Sequence, residues 1–280
     1  MAVIGTNISA MRAGTANNRA AMALQSSMEK LSTGKRINSA KDDSAGLAIA
    51  SSMTSTIRGQ AQAIRNVNDG ISLAQTAEGA LDEVQNMLQR MRELAVQASN
   101  GTYSSSDVAN IKTEQDALAK QITSVIANTN FNGVKLFDGT AGGSGVVTIQ
   151  AGAAQSDAVT LSLGADLGTS GSAGVGDVVD TSTGALQATT PTLANYDTAI
   201  SAVALRRAEL GATQNQLQSQ VNNLTTNNTN LIDARSRIED VDFSTETTQL
   251  AKAQILSQAS EAMLAQANQS QQGVIQLLRG

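Results

Sequence analysis

Two groups of closely spaced carboxylates are the first residues that could do chemistry: Asp42 with Asp43, and Glu239, Asp240 and Asp242. Such groups serve as acid–base pairs or as oxygen ligands for a hard cation. Neither is followed by the Gly and carboxylate spacing of an EF-hand-type loop, so both fit helix ends better, where a carboxylate meets unpaired backbone N–H groups. The run Gly142-Gly143-Ser144-Gly145 has the small residues of a phosphate cradle. It lacks the following Lys and leads into a β-type run, whereas phosphate sites need a helix N-terminus, so it reads as a turn. Asn100-Gly101 and Asn132-Gly133 are turn dipeptides. Arg90 and Arg92 bracket Met91 in QRMREL and point outward with Gln89 and Glu93, as a solvated face or as a contact between subunits.

The 280 residues contain no His, no Cys and no Trp. Disulfides, thiolate or imidazole metal sites, Cys nucleophiles and the Ser-His-Asp triad are thereby excluded, since each depends on a sulfur or an imidazole. No catalytic, cofactor-binding or metal-ligating residue is expected, and no cofactor. The net charge of −5 is spread along the chain and offers no basic footprint for nucleic acid. No apolar run approaches the roughly 20 residues that span a bilayer, so no membrane partner is expected. The opening MAVIGTNISAMR has neither a basic start nor an apolar run of signal-peptide length, so a cleaved secretory signal is not expected.

The elements that must position these residues are mostly helical. Forty-four Ala, 2% aromatic residues and a single Pro call for an aliphatic, close-packed core and permit long uninterrupted helices. Every seventh residue from Val203 is apolar: Val203, Leu210, Leu217, Leu224, Leu231 and Ile238 form a coiled-coil seam. The half-heptad positions Arg207, Gln214, Asn228 and Arg235 are polar, with Val221 the exception. A second helix is expected from Ile57 to Ala98, where Ile57, Ile64, Ile71, Leu81, Val84, Leu88 and Met91 recur at helical spacing. At 1.5 Å per residue the two helices run about 63 Å and about 54 Å. A compact chain of this length has a radius of gyration of only ~19 Å, so the reading is a rod.

Thinner stripes mark both ends: Ile4, Ile8, Met11, Leu24, Met28 and Leu31 at the start, and Leu256, Ala259, Met263, Ser270, Val274 and Leu277 at the finish. They bury little per ordered residue, so the ends of an isolated chain should fray unless another helix covers them. Residues 139–190 differ, holding 11 of the 23 Gly. Val146 to Gln150 and Ala158 to Leu163 are expected to pair as a hairpin, Gly168 to Gly184 to form a loop, and Thr190 with Pro191 to cap and open the long C-terminal helix. The fold class is thus mainly α: a long antiparallel coiled-coil rod built from N- and C-terminal segments, with a small β-hairpin and loop tip.

The stretch LSTGKRINSAKDDSAGLAIA from Leu31 closely resembles the N-terminal signature of bacterial flagellins. GISLAQTAEGALDEVQNMLQRMRELAVQASNGT from Gly70, FNGVKLFDG from Phe131, LGATQNQLQSQVNNL from Leu210 and ARSRIEDVDFSTETTQLAKAQIL from Ala234 reinforce it. LAQANQSQQGVIQLLRG at the finish is similar too, with Gln271 where the family usually has Pro. The resemblance omits roughly residues 140–190, the family's variable, outward-facing part.

The resemblance implies a structural subunit that polymerises into the helical, tubular filament of the bacterial flagellum and serves swimming motility. It implies inner-layer helices at 1–45 and 236–280, rod segments at 46–139 and 191–235, and a tip at 140–190. Lys35, Arg36, Asn38, Lys41, Asp42 and Asp43 would belong to a spoke between layers. Implied partners are other copies of the chain, an export chaperone, the filament cap and hook–filament junction proteins. Type III export and an extracellular, secreted location follow from the same resemblance. Gln89, Arg90, Leu94 and Glu114 match a face that packs on a neighbouring subunit and that Toll-like receptor five binds on monomers of many flagellins.

Two other readings compete. A hook–filament junction protein shares the terminal helices, but LSTGKRINSAKDD and ARSRIED favour flagellin. A free adhesin would use the Ser-, Thr- and Gly-rich tip. An inserted metallopeptidase, as some flagellins carry, needs His ligands that this chain lacks.

Overall fold

The structure, a computed structural model, describes residues 6–154, 156–164, 167, 174–181, 183–187 and 191–277, with side chains as far as 273. Five long helices dominate: α1 (Ile8–Thr33), α2 (Ser44–Ala98), α3 (Ser105–Asn128), α4 (Leu193–Glu239) and α5 (Phe243–Leu277). Between α3 and α4 lie three antiparallel strand pairs: β1 (Asn130–Phe131) with β2 (Val134–Lys135), β3 (Val146–Gln150) with β4 (Ala158–Ser162), and β5 (Val179–Asp180) with β6 (Ala185–Leu186).

Local chemistry sets the helix ends. The Asn7 side chain accepts from Ala10 N at 3.0 Å to start α1, and Gly34, at φ 70°, ends it in the left-handed conformation that Gly adopts without steric cost. Ser104 and Asp107 form a reciprocal capping box at α3. This helix is absent from the sequence reading, although Ser104-x-x-Asp107 announces its start and its buried Ile111, Ala119, Ile122 and Ile126 follow at helical spacing. Helix α2 begins thirteen residues before Ile57, because Asp43 caps it through Gly46 N at 2.9 Å. Pro191 does not open α4, which starts at Leu193; Thr192 precedes it, and its backbone N–H donates to Asn195 Oδ1 at 3.0 Å. Thr190 lies outside the described residues.

Two compact units divide the chain, Met1–Ser55 with Asn230–Gly280, and Thr56–Thr229. In the second, one apolar cluster joins Leu81, Leu88 and Met91 of α2, Ile122 of α3, Leu161 of β4, and Leu210 and Leu217 of α4. Hairpin β3–β4 pairs in the expected register region, Val146 opposite Ser162 and Gln150 opposite Ala158. It is fastened to both long helices: Asn66 donates to Gln150 O at 3.3 Å and Gln220 to Ala151 O at 3.2 Å. In the stretch expected to be loop, β5 pairs with β6 just beyond it, and Val175, Val178 and Val179 are fully buried. Apolar side chains outweigh the local Gly content there, since burying each contributes about 1.5–3 kcal/mol.

In the first unit α1 and α5 run antiparallel. Asn7 Nδ2 donates to Ala267 O at 3.0 Å, Asn17 meets Ser257 at 3.2 Å, and Lys30 Nζ stands 4.0 Å from Glu246. The residues buried on them are Ala20, Ser27, Glu246, Ala253, Ser260 and Ala267. Heptad-spaced small side chains let the two backbones approach closely. The larger residues expected to make the buried stripes are not the ones used: Ile8, Met11, Met28, Leu256 and Met263 are exposed, and Leu24 and Leu31 half-buried. Ile4 and the side chains of Val274 and Leu277 lie outside the described residues.

Candidate functional site

The clustered carboxylates are engaged by backbone donors and neighbouring side chains. Asp42 accepts from the backbone N–H groups of Asn38 at 3.1 Å and Ser39 at 2.9 Å, and from the Ser39 hydroxyl. These bonds hold its carboxyl below the ordinary value of 3.8. Asp242 accepts from Thr245 Oγ1 at 2.8 Å and from the backbone of Ser244 and Thr245 at the start of α5, and is likewise held low. Ser236 donates to Asp240 at 2.6 Å, and Glu239 faces Lys35 at 2.5 Å. Among the described residues no group of three or more potential ligands could hold a metal ion.

Residues Gly34 to Gly46 therefore form a joint. Lys35 makes an isolated bridge with Asp240, Arg36 N donates to Glu239 O at 2.6 Å, its guanidinium donates to Ile238 O at 2.5 Å, and Val241 N donates to Gly34 O. Ile37 is buried beneath, and a Cβ at Gly46 would stand only 2.7 Å from its Cδ1. Asn38 Nδ2 donates to Thr33 at 2.9 Å, whereas Lys41 is exposed. Four of the six charged or polar residues read as a spoke, Lys35, Arg36, Asn38 and Asp42, thus tie this turn together, and Asp43 starts the next helix.

Along α4, Val203, Leu210, Leu217 and Leu224 are buried, and Leu231 and Ile238 half-buried. The polar half-heptad positions reach α2. Arg207 bonds Gln85 at 2.7 Å and pairs with Asp82 at 2.8 Å, Gln214 bonds Glu78 at 2.8 Å, Asn228 bonds Ile57 O at 3.2 Å and Arg235 reaches Thr54. A polar partner at each such level suits one helix register and disfavours others.

On α2, Gln89 and Arg90 are exposed, and Arg90 joins Glu114 of α3 at 2.9 Å and Glu93 at 3.1 Å. The Glu114 hydrogen bond, then that to Glu93, pushes the guanidinium pKa above its ordinary value. Arg92 pairs with Asp197 at 2.6 Å. Leu94 departs from the expected surface: it is 2% exposed, so it supports this face from within and does not present to a partner. Nearby, Gln115 donates to Met91 O at 3.1 Å, and burial pushes the Tyr196 hydroxyl pKa up to about 12.

The outward side of α1 was missed by the sequence reading. At about 100° per residue, Met11 and Met22 lie nearly half a turn from Ala20, with Ile8 on the same side. All three are exposed. Counting Ala and Ser as seam formers, instead of only large apolar residues, would have revealed that side.

The polar clusters thus act as helix caps and a joint, and α1 and α5 leave large apolar side chains exposed. Residues 4–142 match the model described as the bacterial flagellin N-terminal helical region, and residues 193–278 the C-terminal helical region. The chain belongs to the bacterial flagellin family, whose members are structural subunits of the flagellar filament. It is 46% identical over 256 residues to flagellin of Halalkalibacterium halodurans, covering 91% of this chain and 92% of the relative. It is 45% identical over 291 residues to flagellin of Bacillus subtilis, covering 95% of each. The crystal structure of Bacillus cereus flagellin aligns with TM-score 0.48 and 31% identity, over 61% of this chain and 94% of that one.

Proposed function

We propose that this filament subunit polymerises through the α1–α5 pair, with a second copy covering the apolar side that the pair leaves exposed. The observation that carries this is the placement of Ile8, Met11 and Met22 opposite the Ala20 and Ser27 seam. Exposed apolar groups gathered in this way mark an interaction surface. In this reading 1–45 and 236–280 form the inner layer and spoke, 46–139 and 191–235 the rod, and 140–190 the tip. The subunit is exported unfolded, is secreted, and works outside the cell without a catalytic step. An export chaperone, the filament cap and hook–filament junction proteins handle the chain before and during assembly.

Electron microscopy of heat-dissociated chain reseeded with short filament fragments tests this. The intact chain should extend the seeds, whereas a chain lacking residues 1–30 and a Met22→Glu variant should not. Extension by the Met22→Glu variant at the intact chain's rate would overturn the role of this surface.

Gln89, Arg90 and Glu114 form a second candidate surface, for a neighbouring subunit in the filament and for Toll-like receptor five in the monomer. Its support is the exposed Arg90–Glu114 pair. A receptor reporter that stays silent with monomer at high concentration would remove the receptor assignment.

A further inference from the structure

The chain's sulfur is confined to eight Met, since it has no Cys. Their environments divide sharply. Met91 is fully buried in the apolar cluster of α2, α3 and α4, and Met87 and Met53 are half-buried. Met11, Met22, Met28 and Met263 are 67%, 63%, 55% and 64% exposed, and all four stand on α1 or α5. Met1 lies outside the described residues. A thioether in the open is accessible to two-electron oxidants, and its sulfoxide is polar where the thioether was apolar.

We propose that Met11 and Met22, on the outward side of α1, form a redox-sensitive brake on assembly, oxidised by a hydroperoxide in the free chain and protected once a second copy covers them. The inference rests on the assembly surface proposed above. In the step, a Met sulfur lone pair attacks one oxygen of hydrogen peroxide and an S–O bond forms. The O–O bond breaks, and the other oxygen leaves with both protons as water. The sulfur loses two electrons and the peroxide gains them, so no further reductant or oxidant enters. The product places a strong hydrogen-bond acceptor on a surface that docking would take out of water, where an unpaired polar group is unfavourable. Oxidised monomers then stay free, while subunits already covered keep their contacts.

The test treats free chain with hydrogen peroxide, locates sulfoxides by peptide mapping, and measures seeded growth by electron microscopy. Oxygen uptake should reach the four exposed Met well before Met91. The monomer concentration at which growth stops should rise by roughly tenfold or more. The two methionine sulfoxide reductases that act on the two sulfoxide epimers should restore growth. A variant with Met11→Leu and Met22→Leu should keep growing after the same peroxide treatment. Unchanged growth of the oxidised chain, or no recovery after complete reduction, overturns the brake. Failure of the untreated chain to extend seeds overturns the assembly reading itself, so the two failures are distinguishable.

Discussion

The unit of Thr56–Thr229 and the unit of Met1–Ser55 with Asn230–Gly280 solve the problem of burying a helix in opposite ways. The former puts Leu81, Leu88, Met91, Ile122, Leu210 and Leu217 inside. The latter seals α1 on α5 with Ala and Ser, and leaves Ile8, Met11, Met22, Ile255 and Met263 outside. Large aliphatic side chains contribute about 1.5–3 kcal/mol each on burial, and Ala much less. The contrast teaches that one unit is stabilised by its own interior, whereas the other leaves large apolar side chains in water, as the proposed contact with a second copy requires.

The heaviest blow to this comparison falls on the core. Leu217→Ala should cost about 2–5 kcal/mol of the Thr56–Thr229 unit's stability, read by urea unfolding with hydrogen exchange to localise the loss. A loss below 1 kcal/mol would mean that this interior is not what holds the unit. Ala267→Leu, at a buried seam position whose carbonyl accepts from Asn7, tests the other side. Overpacking the close α1–α5 seam should cost about 1–3 kcal/mol, seen as faster exchange in α1 and α5 with the second unit unchanged. Stabilisation by the added Leu would break the comparison, because it would mean that the seam has room for a large residue.

A sharper probe is Gly34→Ala. Nothing stands within 4 Å of where its Cβ would go, so the φ of 70° is the only obstacle. The left-handed conformation should cost about 1–2 kcal/mol, confined to the end of α1 and the Lys35–Asp240 joint. Acid tests the same joint. Asp42 and Asp242 have folded pKa values below the ordinary 3.8, so their contribution is fully present above that value and lost as pH falls through the depressed one. Helicity of α1 and α5 should therefore decline as pH drops below 3.8, and α3 should respond in the same range through its own depressed cap, Asp107. Asp242→Ala should remove part of that acid transition; circular dichroism showing the same transition in the variant would exclude Asp242 as a source.

The heptads of α4 were legible because large aliphatic residues repeat there and are also the ones buried: Val203, Leu210, Leu217 and Leu224. The β3–β4 hairpin was legible from alternating β-type runs around a turn. Met11 and Met28 misled because hydrophobicity identifies what a residue prefers, not which partner will satisfy it; in α1 the chain's own partner takes Ala20 and Ser27. Helix α3 was hidden behind a Ser-rich loop whose capping signal, Ser104 to Asp107, is only four residues long. Buried positions in β5 and β6 were obscured by the Gly around them, since composition marks a turn without showing what packs beneath it. Among the proposed surface residues, Arg90 and Glu114 could be named from sequence, but their pairing across α2 and α3, and the burial of Leu94, depend on how the helices pack.

The smallest stability effect belongs to that pair, and it separates folding from contact. Both partners of Arg90–Glu114 are half in water, with side-chain exposures of 51% and 50%. Coulomb attraction in such a place is weakened by solvent and salt and opposed by the entropy of fixing two long side chains. Glu114→Gln should therefore leave the unfolding midpoint almost unchanged, and raising salt should shrink what difference remains. Arg90 would keep Glu93 at 3.1 Å, so its guanidinium would not be left without a carboxylate. If this face meets a neighbouring subunit, the same substitution should slow seeded filament growth more than it alters unfolding, because it changes the charge presented to that neighbour. A variant equally affected in both measurements would place the pair among the supports of the Thr56–Thr229 unit, and its surface would then owe less to the interior than the comparison holds.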